Sequence, residues 1–130
     1  MASPQIRVVV LDGMATPTAI AVRQNDVPAP ATLALQDTAN SYAAVDLTGA
    51  TVTATLYGVP YVGAPHTGTK VFGARPCTVN SPATAGQVTL TWQAGDFAAP
   101  GTYELDVAMA VGSNKTTSTV PLVITVSAET

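Results

Sequence analysis

The residues of this chain that could do chemistry are few and far apart in the sequence. There is one histidine, His66, and one cysteine, Cys77, while Glu104 and Asp106 stand two positions apart. Catalysis requires several such groups to converge, and one His with one Cys cannot complete a structural zinc site. No Gly-x-Ser-x-Gly nucleophile motif is present either. The sequence therefore predicts no catalytic residue, no bound metal, no cofactor and no enzymatic activity.

Each of these residues has a structural interpretation that we favour. We expect His66 to be an exposed residue of a Gly/Pro-rich loop. Cys77 is expected to pack as a small buried apolar side chain. Glu104 and Asp106 are expected to share a solvated face of a strand, which discourages edge pairing, rather than to form an acid/base pair. Three further carboxylates could line one end of a β-sandwich, where calcium is the alternative to a structural role: Asp37, Asp46 and Asp96.

Composition restricts the classes of partner. The chain has 130 residues with five basic and eight acidic side chains, a net charge of −3, and no run of Lys or Arg. We therefore expect neither a nucleic acid nor an anionic membrane as partner. The apolar run at 6–11 is interrupted by Arg7 and is too short for a signal-peptide core or a membrane span. The single cysteine excludes an intrachain disulfide, which is compatible with assembly in a reducing cytoplasm.

Apolar and polar residues alternate in short segments that are separated by Gly, Pro and Asn. This pattern predicts an all-β sandwich of seven to eight mainly antiparallel strands, with no helix of ten residues. Trp92 is expected to anchor the core. In the segment 102–111 we expect Tyr103 and every second residue up to Val111 to face inward. The predicted strands lie at 6–11, 20–23, 32–36, 50–57, 71–79, 87–92, 102–111 and 120–126.

Two segments are candidates for contact with a partner. Residues 1–18 are predicted to form an N-terminal arm or an edge strand, ahead of a single sandwich domain at 19–130. The run 6–11 is apolar on both faces and needs cover on both sides. It can dock on a partner through Ile6, Val8 and Val10, or it can be an ordinary first strand. The irregular segment 58–69 carries Tyr61 and His66, which can contact a partner or fold back on their own domain.

A set of short motifs occurs in a fixed order along most of the chain. Individually they are common, but together and at these spacings they are more specific. In this order they resemble the N-terminal immunoglobulin-like domain of the phage upper baseplate protein family and related phage head and tail accessory proteins. The motifs are Asn25-Asp26, the strand 33–37, the segment VDLTGATV at 45–52, then Trp92, Asp96 and PGTYE at 100–104.

The resemblance covers about residues 20–126 and implies an immunoglobulin-like β-sandwich. Physical reasons account for its motifs without a ligand. Pro100-Gly101 suits the turn before a strand, and Tyr103 suits a tyrosine corner, in which the hydroxyl bonds to nearby backbone. Asp side chains accept bonds from backbone N–H groups in turns. The residues expected to mark the fold rather than a site are Asp46, Gly49, Trp92, Asp96, Gly101 and Tyr103.

The function implied by the resemblance is that of a non-enzymatic bacteriophage virion protein. It would decorate or stabilise the capsid, or act as a tail or baseplate adaptor. Its partners would be other phage structural proteins and further copies of itself, after synthesis in the host bacterial cytoplasm. Larger family members continue into a stalk, whereas this sequence stops after its last strand, as an accessory domain would. The alternative is a carbohydrate-binding or host-adhesion module, which needs clustered exposed aromatic residues.

Overall fold

The computed structural model describes residues 5–11, 19–61, 70–118 and 122–128. These residues form ten β-strands and two short 3-10 turns, at Thr38–Asn40 and Ala83–Ala85, with no α-helix among them. None of the described residues belongs to a helix that is long and apolar enough to cross a membrane. The strands are β1 (Ile6–Val10), β2 (Ala19–Arg23), β3 (Ala31–Asp37), β4 (Ala43–Ala44), β5 (Thr51–Val59), β6 (Lys70–Val79), β7 (Gln87–Leu90), β8 (Gly101–Val111), β9 (Asn114–Thr117) and β10 (Leu122–Ser127).

The predicted all-β sandwich fold is confirmed, and each predicted strand is present at least in part. Two short strands were not predicted. β4 has only two residues, and β9 lies within the segment 112–119, between the predicted strands at 102–111 and 120–126. β9 forms because the chain turns back at Gly112, in the left-handed region at φ 60°, and pairs with the end of β8. Val120, expected in the last strand, lies outside the described residues.

The strands follow the order β1-β3-β7-β6-β5-β8-β10-β2. One layer contains β1, β3 and β7, and the other contains β5, β8, β10 and β2. β6 belongs to both layers, because it pairs with β5 up to Cys77 and with β7 at Thr78 and Val79. β2 runs parallel to β10, whereas the other pairs are antiparallel. The described strands therefore curve around the core almost as a barrel does.

The core lies between the two layers and is built from alternate residues of the strands. A fully buried Leu or Val side chain contributes about 1.5–3 kcal/mol to folding. Trp92 is buried, as predicted, and so are the inward residues of β8 from Tyr103 to Met109. The central residues of this core include Leu33, Leu35, Val52, Ala54, Leu56, Val88, Leu90, Leu105, Val107, Leu122 and Ile124.

Two burial predictions in β8 are wrong. Val111 is 42% exposed, because it is the last residue of the strand and pairs with Asn114 beside the Gly112 turn. Glu104 is only 2% exposed, although its place in the alternation puts it on the outward face. There it is in register with Tyr57 of β5 and Val123 of β10. That side of the sheet is therefore covered at Glu104 instead of being solvated.

β1 is an edge strand of the domain's own sheet, which is one of the two predicted alternatives. It pairs with β3 in antiparallel register. Ile6, Val8 and Val10 are buried in the core, and Val9, on the opposite face, is fully buried as well. The apolar residues of both faces are therefore covered, as the composition of the strand requires, while Arg7, on the same face as Val9, is only half-buried. This placement corrects the prediction that Ile6, Val8 and Val10 contact a partner, because their side chains are packed in the core of the same chain.

Candidate functional site

The segment from β7 to β8 forms a tight corner around Trp92. The rings of Trp92 and Phe97 pack with their centroids 5.1 Å apart and an interplanar angle of 54°. The Tyr103 hydroxyl donates a hydrogen bond to the Ala99 carbonyl over 2.5 Å, and burial raises the pKa of Tyr103. Gly101 has φ 145°, a conformation that residues with a Cβ rarely adopt. The predicted tyrosine corner is therefore confirmed as a structural device.

Asp96 in this corner is buried and accepts three hydrogen bonds. Its carboxylate accepts hydrogen bonds from Nη1 of Arg75 at 2.6 Å, from Nη2 of Arg75 at 3.0 Å and from the backbone N–H of Gln93 at 2.8 Å. The Arg75 guanidinium also lies over the ring of Phe72, 3.6 Å from its centroid. The bond from Gln93 confirms the expected role of Asp96. Asp96 is thus fully occupied in joining β6 to the β7–β8 corner.

The other two carboxylates of the possible calcium site also have local structural partners. Asp46 accepts bonds from the hydroxyl of Thr48 at 2.6 Å and from its backbone N–H at 3.0 Å, and these bonds lower the pKa of Asp46. Gly49 follows with φ 74°, as a turn requires. Asp37 caps the first 3-10 turn by accepting from Ala39. In the part of the chain that the structure describes, no group of three or more His, Cys, Asp or Glu side chains could hold a metal ion.

Cys77 is half-buried in β6, and burial raises its thiol pKa to about 11, with the charge of Arg75 acting in the opposite direction. A thiol with this pKa is protonated at neutral pH, and the protonated form is a poor nucleophile. This result agrees with the interpretation of Cys77 as a packing residue.

The predicted contact loop is only partly described. Tyr61 lies two residues beyond the end of β5 and is 61% exposed, so that it is available to a partner. His66 lies in the segment 62–69, outside the described residues, so its expected role as a loop contact stays a prediction. Of the residues predicted to contact a partner, Ile6, Val8 and Val10 lie in the core, and Tyr61 is the one that the structure describes as exposed.

A surface that the sequence did not indicate lies on the outward face of β1 and β3. It consists of Arg7, Gln36 and Tyr42, and we call it the Arg7–Tyr42 patch. Arg7 and Gln36 are directly opposite each other, and Nε and Nη2 of Arg7 donate to the Gln36 side-chain oxygen, the former at 3.1 Å. The Tyr42 ring lies over the guanidinium, 4.0 Å from its centroid to Cζ, and Tyr42 is 53% exposed.

The backbone around Tyr42 is unusual. Ser41 and Tyr42 both have positive φ, at 53° and 61°, in the left-handed region that residues with bulky side chains seldom occupy. The Tyr42 N–H bonds to the Asp37 carbonyl at 2.9 Å, which fixes this conformation after the 3-10 turn. In the sequence, the available signals were an arginine that interrupts an apolar strand and a tyrosine just after a turn cluster.

A second surface is the outward face of β5 and β8. Thr51, Thr53 and Thr55 are in register with Ala110, Ala108 and Asp106, so that small side chains of the two strands lie side by side. They are exposed or half-buried. We call the part formed by Thr51, Thr53, Ala108 and Ala110 the Thr/Ala face. It carries no charge, and Thr is a residue type that suits a pleated, partly exposed surface.

Comparison with known proteins adds nothing to these observations, because no protein-family model and no curated protein matches the chain.

Proposed function

We propose that this chain is a non-enzymatic structural protein of a bacteriophage virion. It decorates or stabilises the capsid, or adapts one tail or baseplate part to another, through protein–protein contacts. The observation that carries the proposal is the ordered motif set from Asn25 to Glu104, which is similar to the immunoglobulin-like domain of phage upper baseplate proteins. The sandwich fold and the tyrosine corner at Tyr103 support the likeness, because these motifs imply both.

The work of such a protein is to bury surface against its neighbours in the particle. The Arg7–Tyr42 patch and the Thr/Ala face offer two kinds of surface for this purpose. Tyr and Arg are enriched at the centres of protein interfaces, where large rigid side chains exclude water. A face of small uncharged residues lets a neighbouring subunit approach closely and avoids the large cost of burying an ion, while its Thr hydroxyls need hydrogen-bond partners in the interface. Symmetric virion sites would then arrange several copies of the chain in a ring or lattice.

The proposal is tested by adding the chain back to particles that lack it. Purified, fluorescently labelled protein is mixed with phage particles produced from a genome in which its gene is deleted, and bound copies are counted after gradient sedimentation. We expect saturable binding that unlabelled protein displaces. The test variant is Ala108→Glu, which places a charge on the Thr/Ala face and should weaken the binding. The matched control is Thr125→Glu, at an exposed position of β10, which should bind as the parent protein does. Absence of saturable binding to particles of any stage of assembly would overturn the proposal.

A carbohydrate-binding or host-adhesion module is the second candidate. The exposure of Tyr42 and Tyr61 favours it, because sugars stack on exposed aromatic rings. A glycan array separates the two functions. A hit that is lost in both Tyr42→Ala and Tyr61→Ala would support the adhesion module, and an array without hits, together with saturable particle binding, would support the virion protein.

A further inference from the structure

Among the described residues, two arginines are stacked on aromatic rings, and they differ in the group that accepts their hydrogen bonds. Arg75 lies over Phe72 and makes two hydrogen bonds to the carboxylate of Asp96. Arg7 lies over Tyr42 but donates to the neutral amide oxygen of Gln36. The first cluster is complete, since aromatic ring, guanidinium and carboxylate are all supplied by the chain. The second has the same ring and guanidinium but an uncharged acceptor.

Within the described ranges, no carboxylate forms a salt bridge with Arg7. Two of its five N–H donors are directed at Gln36, and the other three have no hydrogen-bond acceptor among the described residues; the side chain as a whole is half-buried. A guanidinium is planar, and its donors match the two oxygens of a carboxylate. Because Gln36 and Tyr42 fix the plane of the group, a ligand would find these donors already oriented.

Tyr42, which is an exposed residue, adds the apolar surface of its ring next to this charge. The ring is held in place by a backbone with two successive left-handed residues and by the bond from the Tyr42 N–H to Asp37. Such conformations are unfavourable for non-glycine residues and concentrate at functional sites. A small anion would use only the charge of Arg7. A carboxylate carried on a peptide would use the charge and the ring together.

We propose that the Arg7–Tyr42 patch is a docking site for an acidic segment of a partner protein. An Asp or Glu side chain of that segment makes a bidentate contact with Arg7, and its neighbouring apolar atoms pack on Tyr42. The inference rests on the proposed function, because it names the surface through which a neighbouring subunit is held. We choose an acidic protein segment as the occupant because Arg7 is oriented but has no carboxylate partner among the described residues, and because an exposed aromatic residue lies beside it.

The test is an NMR titration of the purified chain with two peptides, acetyl-Gly-Glu-Phe-Glu-Gly-amide and its counterpart with Gln in place of Glu. We expect the Glu peptide to shift the Arg7 Nε–H and Tyr42 ring signals in a saturable manner, and the Gln peptide to leave them unchanged. Arg7→Lys should lower the affinity for the Glu peptide by about tenfold, because Lys keeps the charge but loses the bidentate geometry. Arg23→Gln, at an exposed arginine of β2, should bind as the parent protein does.

A second variant guards against misfolding of an Arg7 substitution. Tyr42→Gly suits the positive φ and removes the ring, so the fold should be kept while the Glu peptide binds several-fold more weakly.

The proposal is overturned if the Glu peptide gives no saturable shift, or if Arg23→Gln lowers the affinity for the Glu peptide as much as Arg7→Lys does. It is also overturned if inorganic phosphate binds as tightly as the peptide, or if the same signals shift with protein concentration alone, which would indicate a second copy. A negative titration leaves the particle-binding experiment standing, so the two failures are distinguishable.

Discussion

The ion pair between Arg75 and Asp96 makes a strong prediction about stability. Arg75 is 13% exposed and Asp96 is 6% exposed, and the carboxylate accepts three hydrogen bonds. Asp96→Ala removes these bonds and leaves the guanidinium largely buried without a counter-charge. Breaking a buried pair costs about 3–5 kcal/mol. We expect about 3 kcal/mol, because Arg75 retains some access to solvent and its contact with Phe72.

A double-mutant cycle separates the pair from the rest of the corner. Arg75→Met keeps much of the packing on Phe72 and leaves Asp96 bonded to the Gln93 N–H. The double variant Arg75→Met/Asp96→Ala has no buried charge without a partner. We therefore expect the double variant to cost about 1–3 kcal/mol less than the sum of the single variants.

The assay is urea unfolding at equilibrium, followed by the fluorescence of Trp92, which is the single tryptophan of the chain. The control is Lys115→Met, at an exposed position of β9, where a change of less than about 0.5 kcal/mol is expected. The reasoning is refuted if Asp96→Ala costs less than about 1 kcal/mol, or if the two single effects are additive.

Three further predictions concern single positions. Gly86→Ala should cost about 3 kcal/mol in urea unfolding, because φ is +69° and a Cβ would lie 2.9 Å from neighbouring backbone atoms; Gly112→Ala, with φ +60° and open space, should cost about 1 kcal/mol. Thr48→Val should raise the pKa of Asp46 toward 3.8 in an NMR titration without reaching it, because the backbone hydrogen bond persists. Because the pKa of Asp46 is lowered in the folded protein, its contribution to stability is present above pH 3.8 and is lost as the pH falls through the folded pKa. Thr48→Val should therefore reduce the stability that is lost in acid. An unchanged pKa of Asp46 in this variant would contradict the prediction. Cys77 should react slowly with an aromatic disulfide reagent at pH 8 in the folded protein and rapidly in urea, because its pKa is raised to about 11; equal rates would contradict the burial.

The strands could be predicted because the alternation of apolar and polar residues is a local signal. The pairing of strands is not local. β6 changes from one layer to the other after Cys77, and nothing in the segment 70–79 specifies that its last two residues pair with β7. The burial of Glu104 was missed for the same reason, because it depends on what covers the sheet from outside.

The same distinction separates the predicted structural residues from the ones that were missed. Asp46, Asp96 and Tyr103 bond to residues two to four positions away, and such turn and corner contacts can be inferred from the sequence. Arg75 meets Asp96 across 21 positions, and Arg7 meets Gln36 across 29 positions. These contacts depend on the register of paired strands, which a single sequence does not specify.

The measurement that tests the central claim most directly is quantitative mass spectrometry of purified phage particles from the source of this sequence. The copies of the chain are counted per particle against known capsid and tail proteins. The virion role predicts a fixed number of copies in every preparation, in the hundreds for a capsid decoration protein or in a small multiple of three or six for a tail or baseplate adaptor. Absence of the chain from particles that contain all their other structural proteins would contradict the account.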